Sequence, residues 1–412
     1  MDKSVFSEGW HNTELGRAFE GIGFHMFTVD RLLSDLEDDG KQVIRLTLGK
    51  SDRPLTANVK EAMINTMDNP KDLLRVDSEG NMKLRSEIAK YLNNRFKSGI
   101  QPQHIIVGSQ GTSSLFRDLF TLLLQDGGEV LLPRPGYILH EASARLIQMM
   151  CKYDVCVKYY DIDLETNRLN LNSFVDNFDA QKNRIVVINS PSNPTGCVFS
   201  HHELEIIIST INNSSRSVLI SDQVYSNMVF NDQVYSSILN TELRTQIHRP
   251  YIVTDSLSKG FEMYTFRVGF AVLPSELVEP ITTFQRNFSL TPPVLNQYGA
   301  IAALNQPERT EDLRKIYKSR SDYICNAFRD LDCVDVLEAD GGFYCILKCG
   351  AYIKKHGFTN DIELALDIAK KTYPHIGTVP CSDFGTSNSL RISFSSHEFE
   401  KGIDVLLKYF QR

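Results

Sequence analysis

Lys259 closes the run Thr254-Asp255-Ser256-Leu257-Ser258-Lys259, just after the apolar Tyr251-Ile252-Val253. Arg267 follows eight residues later, ahead of a second apolar stretch, Val268-Gly269-Phe270-Ala271-Val272-Leu273. A lysine on a turn at a strand end can present its amine to a carbonyl and form a Schiff base. An arginine at that spacing can grip a phosphate through two parallel N–H donors. Together they describe an aldehyde cofactor that carries a phosphate, pyridoxal 5′-phosphate (PLP). Taken alone, the lysine also fits a solvated surface side chain, so the rest of the chain has to supply the argument.

Four further turns follow apolar runs. Gly108-Ser109-Gln110-Gly111-Thr112-Ser113-Ser114 stands between a strand and a helix, where glycines allow close backbone approach and the helix N-terminus favours a phosphate. Pro133-Arg134-Pro135-Gly136-Tyr137 offers an aromatic ring to stack on a flat heterocycle. In Asn189-Ser190-Pro191-Ser192-Asn193-Pro194-Thr195-Gly196, the Asn193 amide can donate to a phenolate or a carboxylate. In Ser221-Asp222-Gln223-Val224-Tyr225, a carboxylate at a strand end can pair with a pyridinium N–H. That pairing makes the ring an electron sink, and Tyr225 can reach the ring hydroxyl. Each turn alone also fits a serine cap, a packed tyrosine, a Pro-Gly turn or a helix cap.

The elements that must position these residues are legible too. Residues 104–107, 129–132, 184–188, 217–220 and 251–253 read as strands buried on both faces, with intervening lengths that allow a helical crossover. Leu115, Phe116, Leu119, Phe120 and Leu123 share one helical face. The pattern predicts an α/β fold with a mainly parallel central sheet and helices on both faces. Ligands of such sheets sit beyond the carboxyl ends of the strands. The C-terminal third changes character: a charged helical stretch over 308–330, an apolar run at 341–347, a helix near 362–371 and a last strand at 390–394. It reads as a smaller α+β lobe completed by the N-terminal segment, giving a large domain over 51–305 and a small one over 1–50 and 306–412.

With the Asn-Pro-x-Gly, Asp-x-x-Tyr and Ser-x-Ser-Lys…Arg motifs in order, the chain resembles fold-type I PLP enzymes of the class I/II aminotransferase family from about Val43 to Arg391. The resemblance implies that Lys259 is the Schiff-base lysine and proton shuttle, and that Asp222 pairs with the pyridine nitrogen. It places Tyr225 and Asn193 at the ring 3′-oxygen and Tyr137 on the ring face. Gly111, Thr112, Ser256 and Arg267 would hold the phosphate, with Ser258 nearby. Arg391, in Ser389-Leu390-Arg391-Ile392-Ser393, would clamp the substrate α-carboxylate beside Asn193. The resemblance also implies a homodimer with active sites at the subunit interface.

Three positions depart from the family. Arg75 stands where many relatives carry a tyrosine that reaches the partner subunit's cofactor, and is a candidate substrate or phosphate contact. Thr265 replaces a glycine, and Gly49-Lys50-Ser51-Asp52 replaces Gly-x-Pro-Asp. The leading expectation is transfer of an amino group between an amino acid and a 2-oxo acid. A second is an enzyme of the same fold acting as a lyase, an amino acid oxidase or a capreomycidine-synthase-like cyclase on a substituted amino acid such as a hydroxylated arginine. Transcription regulators of this fold carry an added DNA-binding domain, and no room for one is expected before Val43.

Composition narrows the field. With 412 residues, a net charge of −7 and no basic tract, nothing favours nucleic acid. No run approaches the roughly 18 apolar residues of a membrane span, and residues 1–23 lack a signal-peptide core. The eight cysteines are scattered without zinc spacing, so no metal is expected and the cytoplasm is the default location. Glu8, Glu14 and Glu20 in the N-terminal segment are candidates to favour a cationic substrate side chain.

Overall fold

The computed structural model describes residues 25–47, 49–51, 53–74, 77–230 and 234–412. Glu8, Glu14, Glu20, Asp52 and Arg75, singled out in the sequence, lie outside them. The strands, in chain order, are β1 (Val43–Arg45), β2 (Ile105–Val107), β3 (Ser109–Gly111), β4 (Glu129–Arg134), β5 (Cys156–Asp163), β6 (Arg168–Leu169), β7 (Asn183–Asn189), β8 (Val218–Asp222), β9 (Tyr251–Ser256), β10 (Gly269–Val272), β11 (Asp335–Leu337), β12 (Tyr344–Lys348), β13 (His375–Gly377), β14 (Val379–Pro380) and β15 (Ser389–Ser393).

Eight of them form one sheet in the order β2-β10-β9-β8-β7-β4-β5-β6. The pairs from β9 through β8, β7 and β4 to β5 are parallel, as the crossover lengths predict. β10 runs antiparallel to both β9 and β2, and β6 antiparallel to β5. The five expected strands all form, while β5 and the antiparallel insertion of β10 were not anticipated. Successive residues of a strand face opposite sides, and the buried side chains sort that way. Leu131, Val186, Ile188, Leu219 and Val253 join one apolar cluster; Val130, Ile185, Val187, Ile220 and Ile252 join another.

Helices cover both faces. Leu84, Ile88, Leu92 and Phe96 of helix Met82–Phe96 repeat at helical spacing onto the first face. Leu204, Ile207, Ile208 and Ile211 of helix His201–Asn212 join them, and a Ser200–Glu203 capping box starts that helix. On the second face Leu115, Phe116, Leu119 and Phe120 of helix Thr112–Leu123 are buried as expected, with Leu123 half-buried.

A third cluster surrounds the four-stranded antiparallel sheet β11-β12-β15-β14. It takes Val29 and Leu33 from helix His25–Asp38, Ile324 and Phe328 from helix Pro307–Phe328, Ile368 from helix Asp361–Lys371 and Leu406 from helix Phe399–Phe410. β1 pairs in parallel with β13, so the early and late parts of the chain share a core. Among the described residues no helix is long and apolar enough to cross a membrane, and no group of His, Cys, Asp and Glu is arranged to hold a metal. All eight cysteines are free.

Candidate active site

Parallel strands that start on one side all end on the other, so the turns after β4, β7, β8 and β9 converge. β2 is antiparallel to β10 and β10 to β9, so the glycine-rich turn after β2 ends at the same edge. There a cavity of about 270 Å3 opens. Its walls include Thr112, Tyr137, Asn193, Asp222, Tyr225, Ser256, Ser258, Lys259, Arg267 and Arg391, all singled out in the sequence. Gly111 sits one layer behind, where an added Cβ would stand 3.4 Å from Arg267 Nη2.

The turn after β2 is tight. Gly111 holds φ at +73°, which favours glycine, and helix Thr112–Leu123 starts there, with Thr112 and Ser113 of its first turn lining the cavity. Gly269, at the start of β10, admits no side chain, because a Cβ would lie 2.4 Å from the Thr112 N. Arg267 reaches across this junction and donates to Gln110 O at 3.3 Å and to Ser113 Oγ at 3.4 Å. Ser256 Oγ accepts from Ser258 N at 2.8 Å, fixing the turn that carries Lys259. Helix N-terminus, hydroxyls and guanidinium together make an anion cradle.

Lys259 Nζ donates to the Gly49 carbonyl at 2.6 Å and lies 4.7 Å from the centre of the Tyr264 ring. Burial, reinforced by Arg267 and Arg391 and opposed by Asp222, lowers its pKa from 10.5 to about 7. A substantial fraction of the amine is therefore the free base at neutral pH, the form that attacks a carbonyl or takes a proton. Gly49 is required by close packing, since a Cβ would fall 1.8 Å from Tyr344 Oη.

Asp222 is buried at the end of β8, and His140 Nε2 lies 3.0 Å from its Oδ2. His140 was not singled out, although it follows Tyr137 by one helical turn and so shares its face. The Tyr137 and His140 rings meet edge to face at 5.3 Å. Burial first, and Asp222 second, push the Tyr137 phenol up. Tyr225 is likewise raised, by burial first and then by the neighbouring Tyr344 and Tyr137. Both phenols are neutral donors at ordinary pH.

Arg391 on β15 is 4% exposed. Its Nη2 donates to Thr47 O at 2.6 Å and its Nη1 to Asn193 Oδ1 at 3.0 Å, while Nε has no partner among the described residues. Its guanidinium lies 4.2 Å from the Tyr344 ring centre and 4.8 Å from that of Phe384. Met26 and Phe27, at the start of helix His25–Asp38, complete this wall with Ile138 and Leu139. Asp383 anchors that helix start by accepting from His25 N at 3.1 Å and Met26 N at 2.8 Å. Met26, Thr47, Tyr264 and Tyr344 were missed in the sequence because no local motif marks them.

A lysine with a lowered pKa, a buried carboxylate, an anion cradle and a buried arginine in one cavity define a site for carbonyl and carboxylate chemistry at the edge of a parallel sheet. The family model described as aminotransferase class I and II matches residues 41–409. An aspartate aminotransferase of Bacillus sp. (strain YM-2) is 27% identical over 363 residues, 88% of this chain and 89% of that one. A probable aspartate/prephenate aminotransferase of Aquifex aeolicus (strain VF5) is 26% identical over 380 residues, 90% and 91% of the two chains. Among solved structures, an aspartate aminotransferase from Thermotoga maritima superposes with a TM-score of 0.82 at 23% identity, over 96% of this chain and 100% of that one. An alanine aminotransferase from Pyrococcus furiosus gives 0.83 at 24%, over 96% and 98%. The chain belongs to the aminotransferase class I and II family. It is an enzyme, an aminotransferase of a family that works with PLP; the lyase, cyclase and oxidase alternatives are not favoured.

Proposed function

We propose that this chain moves an amino group between an amino acid and a 2-oxo acid, using PLP attached through Lys259. The observation that carries the reading is the convergence of Lys259, Asp222, Arg267 and Arg391 on one cavity of about 270 Å3. The residues fit the cofactor. Lys259 has an amine whose acceptor is a backbone carbonyl rather than a carboxylate. The turn at Gly111 leaves room beside Arg267 that a Cβ would narrow. Thr254 Oγ1 and Val224 N approach Asp222 Oδ1 only to 3.4 Å.

On this reading Gly111, Thr112, Ser256, Ser258 and Arg267 hold the phosphate, Tyr137 stacks on the ring, and Asn193 and Tyr225 donate to its 3′-oxygen. Asp222, held by His140, keeps the ring nitrogen protonated. The cofactor supplies an electron sink for negative charge developing at the substrate α-carbon. Arg391 takes the α-carboxylate in a two-pronged grip and so orients the Cα–H bond toward Lys259. The Lys259 amine would take that proton from the α-carbon and carry it while the amino group is transferred.

The family resemblance supports a homodimer, and so do two exposed leucines. Leu74 is 80% exposed and Leu290 67%, on segments joined by Thr291 Oγ1 donating to Asp77 O at 3.0 Å. We assign residues 51–305 to a cofactor-binding domain and 1–50 with 306–412 to a smaller one; one apolar cluster lies wholly within the first, and the other is drawn from the second apart from Tyr225, Met228 and Phe230. Eight free thiols agree with a reducing compartment such as the cytoplasm.

The test is product stoichiometry with a panel of amino acids and 2-oxo acids. One new amino acid per donor consumed supports the reading. Release of ammonia or peroxide without amino transfer overturns it.

A further inference from the structure

The carboxylate of Glu262 is 1% exposed. Its backbone φ is +58°, a left-handed conformation that glycine adopts freely and glutamate does not. Glu262 lies three residues after Lys259, and its N–H donates to the Lys259 carbonyl at 3.3 Å. The carboxylate gathers groups from two other parts of the chain. Ser51 Oγ donates to Oε1 at 2.6 Å, Arg53 Nε lies 3.6 Å from the same oxygen, and Arg309 Nε lies 2.5 Å from Oε2. Arg309, in the first turn of helix Pro307–Phe328, also donates to Pro54 O at 2.6 Å.

One buried carboxylate thus ties three pieces together: the turn that carries Lys259, the loop around 49–54, and a helix of the C-terminal region. Gly49 in that loop accepts from Lys259 Nζ. The loop is also where Gly49-Lys50-Ser51-Asp52 departs from Gly-x-Pro-Asp. A proline at 51 would have no hydroxyl for Glu262. The turn itself does not call for glutamate, since glycine would fit its φ better. What distinguishes glutamate here is therefore what its carboxylate holds.

We propose that Glu262 is a positioning residue for Lys259. It fixes the Gly49 carbonyl where the lysine amine rests when it is not covalently engaged. This rests on the reading of Lys259 as the PLP-attaching lysine.

In the test, PLP is added to cofactor-free protein, and the rate at which borohydride can fix it to Lys259 is measured beside kcat and KM. With the lysine misplaced in Glu262→Gly, we expect fixation about tenfold slower and kcat about tenfold lower with KM nearly unchanged. Glu262→Gln, which still accepts from Ser51, should recover part of the loss. Ser51→Ala removes only the hydroxyl and should move both rates the same way by a smaller factor, which keeps the test decisive if the glycine variant folds poorly. Fixation rate and kcat that fall only in proportion to the folded fraction, or not at all, overturn the role. Wild-type protein fixed at a different lysine would instead overturn the assignment of Lys259.

Discussion

The two halves of the cavity are built differently. The half around Lys259, Asp222 and Arg267 comes from turns at neighbouring strand ends, held by ladder register: Asn189 faces Asp222, and Asp222 faces Thr254. The half around Arg391 is assembled from distant segments. Its contact with Thr47 spans 344 residues of sequence, and its contact with Asn193 spans 198. A sheet edge gives fixed backbone geometry, suited to a resident cofactor. A wall of separately anchored segments can shift when a small ligand arrives.

The largest expected effect is on the rigid half. Lys259→Ala should abolish turnover and the borohydride-fixed cofactor, while PLP still binds non-covalently through the anion cradle; equilibrium dialysis and reductive labelling read the two apart. If PLP no longer binds at all, the cradle does not act independently of the lysine.

Next is Arg391→Ala. Losing one partner of a buried charge pair costs roughly 2–5 kcal/mol, so amino acid affinity should fall by the corresponding factor while PLP affinity holds. Equal losses in both affinities would erase the distinction between the halves, and unchanged substrate affinity would falsify the carboxylate role.

Tyr344→Phe probes the junction, because Tyr344 contacts Tyr225 on one side and Arg391 on the other. Losing one buried hydrogen bond costs about 1 kcal/mol. We expect a several-fold change in kcat/KM shared between kcat and KM, measurable by steady-state kinetics.

The smallest effect is a pH signature in the cofactor-free protein. Lys259 releases its proton near pH 7 when folded but near 10.5 in its ordinary state. The unfolded chain therefore binds more protons between those values, and stability rises with pH across that window. Burial first, outweighing the Ser256 N–H and other donors, raises Asp255 from 3.8 to about 7. There the folded chain binds more protons, so stability falls as pH rises from about 4 to 7. Urea midpoints of wild type against Lys259→Met and Asp255→Asn should diverge in these opposite senses. Parallel curves would show that neither group is desolvated as described.

What could be read in advance follows the same division. Lys259, Asp222, Tyr225, Asn193 and Tyr137 each follow a short apolar run within a few residues, so strand-end position marked them as candidates and the family motifs assigned their roles. The parallel sheet followed from the same runs. Arg391 was legible only through its family motif. His140 had a weak signal in its one-turn spacing from Tyr137. Met26, Thr47 and Tyr344 had none, because what brings them to the cavity is contact across more than a hundred residues, and no local propensity encodes that. The antiparallel placement of β10 was likewise a matter of sheet closure. The sequence by itself determined which polar residues stand at the strand ends and so share one edge of the sheet. Only tertiary packing decided what faces them, which lysine amine is desolvated enough to react, and that a strained glutamate at 262 joins three segments, since burial and charge pairing exist only once distant parts of the chain have met.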